Sequence, residues 1–458
     1  MRSAIHATVL LISLGSPAFA GDTSTADLIA ACDKAAASPQ DKTVPAGIAA
    51  VAPEKIEAAS AIPACEAAAR AAPGNPRVLF ELGRAYRAGK NYDAARIRYE
   101  EAMRAGSALA ASNLGSLYAE GLGSLPRDDR EAARLFRIAA DQGVAAAQSN
   151  LGSFYQNGRG GLPKDDVEAV RLYRLAAGQG YAAAQNALGN FFHNGRGGLP
   201  QDDVEAARLY KLAADQEFPS AQTNLGYFYQ EGRGGLPRDD NAAARLYKLA
   251  TEHGNPFGQH GLAYFYQVGR GGLPKDDVEA ARLYRLAADQ GNASSQNSLG
   301  TFYQSGRGGL PRDDVEAARL YKLAAGKGNS YAQNNLAYFF QEGRGGLPKD
   351  DGEAVRLYKL AVDQNNAAAQ SNLGYFHATG RGGMPKDDAE AARLYRLSAA
   401  QGSALGQVNL GNFYQQGRGG LRKDDVEAAR YYRLAADQGN AVAQCNLGIL
   451  YANGRGGL

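Results

Sequence analysis

Tryptophan is missing from this chain of 458 residues, and methionine, cysteine and histidine are scarce, at three, three and five. Beyond residue 20 only His193, His253, His260 and His377 remain, and none has a second ligand at metal spacing. No Gly-x-Ser-x-Gly elbow or Cys–His pair is present either, so catalysis has little to stand on and no cofactor or metal is expected. Neither sign of charge dominates: 50 basic and 47 acidic residues leave a formal +3, interleaved along the chain. That balance gives no field to recruit nucleic acid or an anionic membrane surface. Long apolar runs are lacking as well, and after the first twenty residues nothing approaches the roughly 20 apolar residues needed to span a bilayer.

The start of the chain carries Arg2, an apolar stretch from Ala7 to Leu14, a break at Gly15 to Pro17 and the small-x-small ending Ala18-Phe19-Ala20. This pattern predicts a secretory signal over 1–20, cleaved between Ala20 and Gly21, and a periplasmic or secreted mature protein. An N-terminal anchor is the rival reading, and its apolar run is too short. In an oxidising compartment Cys32 and Cys65 are expected to bridge, the alternative being two buried free thiols. Closing that loop would stabilise by roughly 3 to 4 kcal/mol in the chain-entropy model. Cys445 stands where equivalent positions hold Ser149, Thr223 or Ser371, and reads as an incidental small residue.

What the chain does have is a phrase that returns every 37 residues, marked by Leu114, Leu151, Leu188, Leu225, Leu262, Leu299, Leu336, Leu373, Leu410 and Leu447. A unit this short cannot bury its own apolar face and must stack on copies of itself. Within one unit Ala147, Leu151, Phe154 and Tyr155 form the stripe of an amphipathic helix, here helix A. Gly152 recurs inside it at a cost of about 1 kcal/mol relative to alanine, which asks for close approach by a neighbouring helix. Gly158 ends the helix, and Arg159-Gly160-Gly161-Leu162-Pro163 cannot continue it. Helix B opens at Asp165-Asp166-Val167-Glu168, where Asp165 is expected to cap and Glu168 to complete a capping box. Ala169, Leu172, Tyr173 and Ala176 give its inner stripe, Glu168 and Arg171 pair on its outer face, and Gly180 ends it.

Leu151, Gly152, Tyr155, Gly158, Gly160, Asp165, Ala169, Tyr173, Ala176, Ala177 and Gly180 resemble the pattern of the Sel-one-like repeat, a longer relative of the tetratricopeptide repeat. Leu82, Gly83, Tyr86, Gly89, Ala95, Tyr99 and Ala102 resemble the tetratricopeptide repeat itself, with a shorter loop. There are two departures, an additional loop residue at Gly161 and Leu172 where the family often has tryptophan. The resemblance implies an all-α fold, a right-handed α/α solenoid of helix–turn–helix units. Residues 21–79 read as an N-terminal helical cap with helices near 25–37 and 55–72, residues 80–110 as a short tetratricopeptide-like repeat, and 111–458 as nine full repeats plus a final half repeat. The last helix shows Leu447, Ile449, Leu450 and Tyr451, which predicts a dimer contact or a truncation at the level of the gene.

The nine Asp-Asp pairs, Asp128-Asp129 to Asp424-Asp425, read as helix caps and not as catalytic carboxylates. The Gly-Arg-Gly-Gly-Leu-Pro loops lack the Gly-Lys-Ser/Thr ending of a nucleotide loop and read as connectors with weak anion-binding capacity. What varies between repeats carries more information. A polar window beside the core stripe holds Asn150, Asn224, Asn335, Asn372 and Asn409 at one position and Tyr227, Tyr264, Tyr338 and Tyr375 at another. In tetratricopeptide-like arrays helix A lines the concave surface, so the resemblance implies an amide ladder flanked by tyrosines and facing a groove. Amides suit the main chain of an extended peptide, and tyrosines supply rigid amphipathic contact area. The competing structural reading has asparagine bonding the neighbouring repeat's backbone and tyrosine filling gaps between repeats. The expected function is an exported, non-enzymatic scaffold or adaptor for a protein or peptide partner. The alternative is a protein that binds or regulates at the cell wall, through peptidoglycan or its hydrolases. A β-lactamase-like hydrolase comes third, because the relatives discussed in that role carry cysteine-paired repeats and these repeats hold one cysteine.

Overall fold

The computed structural model describes residues 23–457, and among them every regular element is a helix. The expected export signal and its Ala20–Gly21 cleavage point lie outside the described residues. Two compact units divide the chain at Asp202 and Asp203.

The first unit opens with α1 (Thr25–Ala36) and α2 (Ala58–Ala71), joined by a long loop with one short helical turn at Pro53–Lys55. Ser24 and Asp27 close a capping box at the start of α1. A disulfide joins Cys32 to Cys65, with both residues fully buried beside Val78 and Leu82. Helix pairs follow: α3 (Pro76–Ala88) with α4 (Tyr92–Arg104), α5 (Ala108–Glu120) with α6 (Asp129–Asp141), α7 (Ala145–Asn157) with α8 (Asp166–Gly178), and then α9 (Ala182–Asn194). The second unit alternates in the same way from α10 (Asp203–Ala214) and α11 (Pro219–Glu231) to α22 (Asp425–Ala436) and α23 (Ala441–Ala452).

Each repeat is built by a few recurrent contacts. Ala147, Leu151 and Phe154 of α7 are buried, as are Ala169, Leu172, Tyr173 and Ala176 of α8. Gly152 packs against the ring of Tyr173, and an added Cβ would lie 3.1 Å from it, so the glycine admits the neighbouring helix as the sequence suggested. Helix-B tyrosines fill the interior between repeats: Tyr210, Tyr284, Tyr321, Tyr358 and Tyr432 are at most 1% exposed. Their rings meet the next repeat's phenylalanine edge to face, as in Tyr210–Phe228 at 5.2 Å and Tyr321–Phe339 at 5.3 Å. The hydroxyls of Tyr284, Tyr321, Tyr358 and Tyr432 each find a glutamine of their own repeat, Tyr284 donating to Gln267 at 2.7 Å and Tyr321 to Gln304 at 2.7 Å.

Helix B starts differently from the expectation. Asp165 caps α8, accepting from the Val167 and Glu168 amides at 2.9 and 3.0 Å, but Glu168 does not complete a capping box. The Asp165 amide is already donated to the Tyr155 carbonyl of α7 at 2.9 Å, and Glu168 forks instead onto Arg171. At the far end Leu450 is fully buried against α22, in the register of Phe413, so it is no part of an open face. Ile449 and Tyr451 are each 53% exposed.

Candidate partner-binding face

Asp129, Asp166 and their counterparts, second in each Asp-Asp pair, are more than helix starters. Asp129 takes both nitrogens of Arg159 from the next repeat's glycine loop, and the arrangement repeats nine times, from Arg159–Asp129 and Arg196–Asp166 to Arg455–Asp425, at 2.6 to 2.8 Å. The same guanidinium lies over a helix-A phenylalanine, Arg159 on Phe154 at 4.3 Å and Arg418 on Phe413 at 4.5 Å. Gly160 adopts φ +64° directly on the Asp129 carbonyl, a place where a side chain would collide. The loop is therefore a rivet between repeats, and its arginine is spent. The sequence held a signal for it: the loop before the first Asp-Asp pair has Leu122 in the arginine's register, and there Asp93 takes the Ser124 amide and hydroxyl instead.

The predicted window divides in two. Asn335 donates to Asn297 at 3.0 Å, Asn372 to Asn334 at 2.9 Å and Asn409 to the Ser371 hydroxyl at 3.1 Å. These amides form a ladder between neighbouring A helices, through side chains and not the backbone, so their donors serve packing. Asn150 and Asn224 are half-buried at the same register. The tyrosines behave otherwise: Tyr227, Tyr264, Tyr338 and Tyr375 are 41, 37, 39 and 44% exposed, all in the second unit. Filling the gaps falls to the helix-B tyrosines, not to these. Each ring has a fixed seat, Tyr227 against Phe228 and Tyr375 against Phe376 at 6.3 Å, while Arg344 lies 5.8 Å over Tyr338 and Arg381 6.0 Å over Tyr375. The result is a row of anchored aromatic rings with polar tips.

Two other groups of reactive side chains are committed to packing. Burial pushes His260 down to about 4, and its Nδ1 meets the Ser295 hydroxyl at 2.9 Å inside the second unit. Cys32, Cys65 and Glu81 form a cluster of metal-ligand types, but its two sulfurs are joined in the disulfide. Cys445 is a free, exposed thiol on α23. No described helix is long and apolar enough to cross a membrane.

Comparison with known proteins places this arrangement. The Sel1 repeat profile matches ten consecutive stretches, 108–144, 145–181, 182–218, 219–255, 256–292, 293–329, 330–366, 367–403, 404–440 and 441–458. A protective antigen of uropathogenic Escherichia coli with an SLR fold is 32% identical, with a TM-score of 0.53 over 86% of this chain and 83% of its own. A Sel1 repeat protein from Oxalobacter formigenes is 29% identical over 55% of this chain and 96% of its own, at a TM-score of 0.46. A comparison with curated proteins gave no match. Repeat scaffolds of this kind generally bind other proteins and are typically not enzymes. With the family profile in phase across every repeat whose helices, loops and rivets have just been described, this chain belongs to the Sel1 repeat family.

Proposed function

We propose that the protein is an exported scaffold that holds a partner protein or peptide on the helix-A face of its second unit. The observation that carries this reading is the exposure of Tyr227, Tyr264, Tyr338 and Tyr375 at one register, beside helix-B tyrosines and helix-A phenylalanines such as Tyr247, Phe228 and Phe265 that are buried. Rigid aromatic rings with a hydroxyl at the tip cost little entropy when they bind and suit the centre of an interface. Export is supported by the leader pattern of residues 2–20 and by a similar structure that is a protective antigen. Cell fractionation with N-terminal sequencing tests it: a mature chain beginning at Gly21 outside the cytoplasm is expected, and an intact Met1 in the cytoplasm would sink it.

Replacing the four tyrosines together with serine tests the face. Partner capture, read by in-cell crosslinking and mass spectrometry, should be lost with melting unchanged; a collapse of stability would assign the rings to packing. The second reading is a cell-wall component as partner, favoured by flat exposed rings beside guanidinium and amide groups. Pull-down on purified cell wall, set against crosslinking to proteins, separates the two. Self-association through α23, where Val442, Ile449 and Tyr451 are exposed, is a further proposal, and light scattering that shows only monomer at high concentration rejects it.

A further inference from the structure

In the first helix pair Leu82-Gly83 stands where Leu225-Gly226 stands in the second unit, so Glu81 holds the register of Asn224 and Arg84 that of Tyr227. Both are covered, Glu81 fully buried and Arg84 5% exposed. Glu81 lies against Asp33 of α1 and the disulfide, and what covers Arg84 is the loop between α1 and α2. Arg84 clasps its neck, donating to the carbonyls of Ala36 at 2.5 Å and Val51 at 2.6 Å, and the Val51 amide closes onto the Ala37 carbonyl at 2.8 Å. Arg77, seven residues earlier on the same helix face, donates to the Thr43 carbonyl and pairs with buried Asp33 at 3.1 Å. Farther along, Gln40 accepts from the Ala146 amide at 3.4 Å, in the first turn of α7, where Val144 offers no side-chain cap.

The hold is almost wholly on main chain. Pro39, Lys42, Thr43, Pro45, Ala46, Gly47, Ala49 and Ala50 are exposed, so the loop buries little side-chain surface. An extended segment of other sequence could offer the same carbonyls. Burial and the nearby Asp33 raise Glu81 to about 9, so it is uncharged at neutral pH and the floor of Arg77, Arg84 and Asp33 carries a net positive charge, which Asp41 of the loop answers.

We propose that residues 38–50 are a resident strap, seated on the helix-A face of the first unit as a peptide ligand would be, and that an extended segment with an acidic side chain displaces it by offering its own carbonyls to Arg77. This rests on the reading of helix A as a peptide-binding face, and makes the first unit a subsite that the chain itself keeps filled.

The test uses full-length chains and a labelled synthetic peptide with the sequence of residues 37–52. Replacing residues 39–49 with a short Gly-Asn-Gly turn keeps the neck and the Arg77–Asp33 pair, and frees the Arg77 nitrogen that holds the Thr43 carbonyl. The shortened chain should bind the peptide at least tenfold more tightly than the intact chain, and Arg77→Met in the shortened chain should remove the gain, with helical content unchanged. Equal binding by intact and shortened chains, or a gain that survives Arg77→Met, overturns the strap. Should the shortened chain fail to fold, excess unlabelled peptide added to the intact chain should speed amide exchange of residues 40–50, and unchanged exchange overturns it. Failure of the tyrosine face is read separately, because the four-tyrosine variant leaves the first unit untouched.

Discussion

Adjacent aspartates in one repeat do different work. Asp128 caps α6, whereas Asp129 is held well below the usual carboxylate range because Arg159 and Arg127 donate to it. A depressed folded value means stability that is present above the ordinary carboxylate pKa and lost as pH falls through the folded one. Asp129→Asn should therefore cost about 1 kcal/mol near neutrality, as expected for a partly exposed bidentate pair. In urea denaturation the gap from the parent chain should close toward the lowest pH; a constant gap would assign the loss to packing. Glu81 has the opposite sign. Raised from 4.5 to about 9, it keeps a proton in the folded state that the unfolded state has released, so stability falls as pH climbs across that window. Glu81→Gln should flatten this slope, seen as a melting temperature that changes less between pH 5 and 9 than the parent's.

At the scale of the helix and its loop, the legible parts were those set by local periodicity. Leu151, Phe154, Leu172 and Tyr173 announce two inner stripes, Gly158 announces a stop, and Asp165 a start. The rivet was harder to read, since Arg159 and Asp129 are 30 residues apart and each has a sufficient local explanation, one as loop and one as cap. Glu168 misled because the capping box needs a free amide, and the amide of Asp165 is used by Tyr155 of the preceding helix. The asparagine and tyrosine positions of the window look alike in sequence, and only packing sends one sideways and the other outward. The strap carries no periodicity, and Arg84 meets Ala36 across 48 residues. Loop geometry gives its own prediction. Gly308, at φ +65°, rests on the Asp277 carbonyl, while Gly309, at φ +72°, has only Val278 nearby at 3.9 Å. Gly308→Ala should cost about 2 to 3 kcal/mol and Gly309→Ala about 1, from strained backbone with and without a clash. Urea midpoints compare them, and equal losses would show that backbone conformation alone matters.

The whole chain gains its stability by addition, because each repeat buries its apolar face only against its neighbours. The disulfide acts at one end of that sum. Replacing Cys32 and Cys65 together with alanine should cost the α1–α2 cap about 3 kcal/mol in the loop-entropy account, with the cap melting ahead of the repeats. Damage inside the array should stay local as well. Gly308 joins residues 293–329 to 256–292 through Asp277, so Gly308→Ala should weaken that junction first. Native-state amide exchange should then speed up across residues 256–329 and fade over the next repeats, leaving 108–144 at the parent's rate. A uniform rise through the second unit would instead mean that its repeats open together, and the tyrosine face, which spans residues 227 to 375, would be formed or lost as one surface.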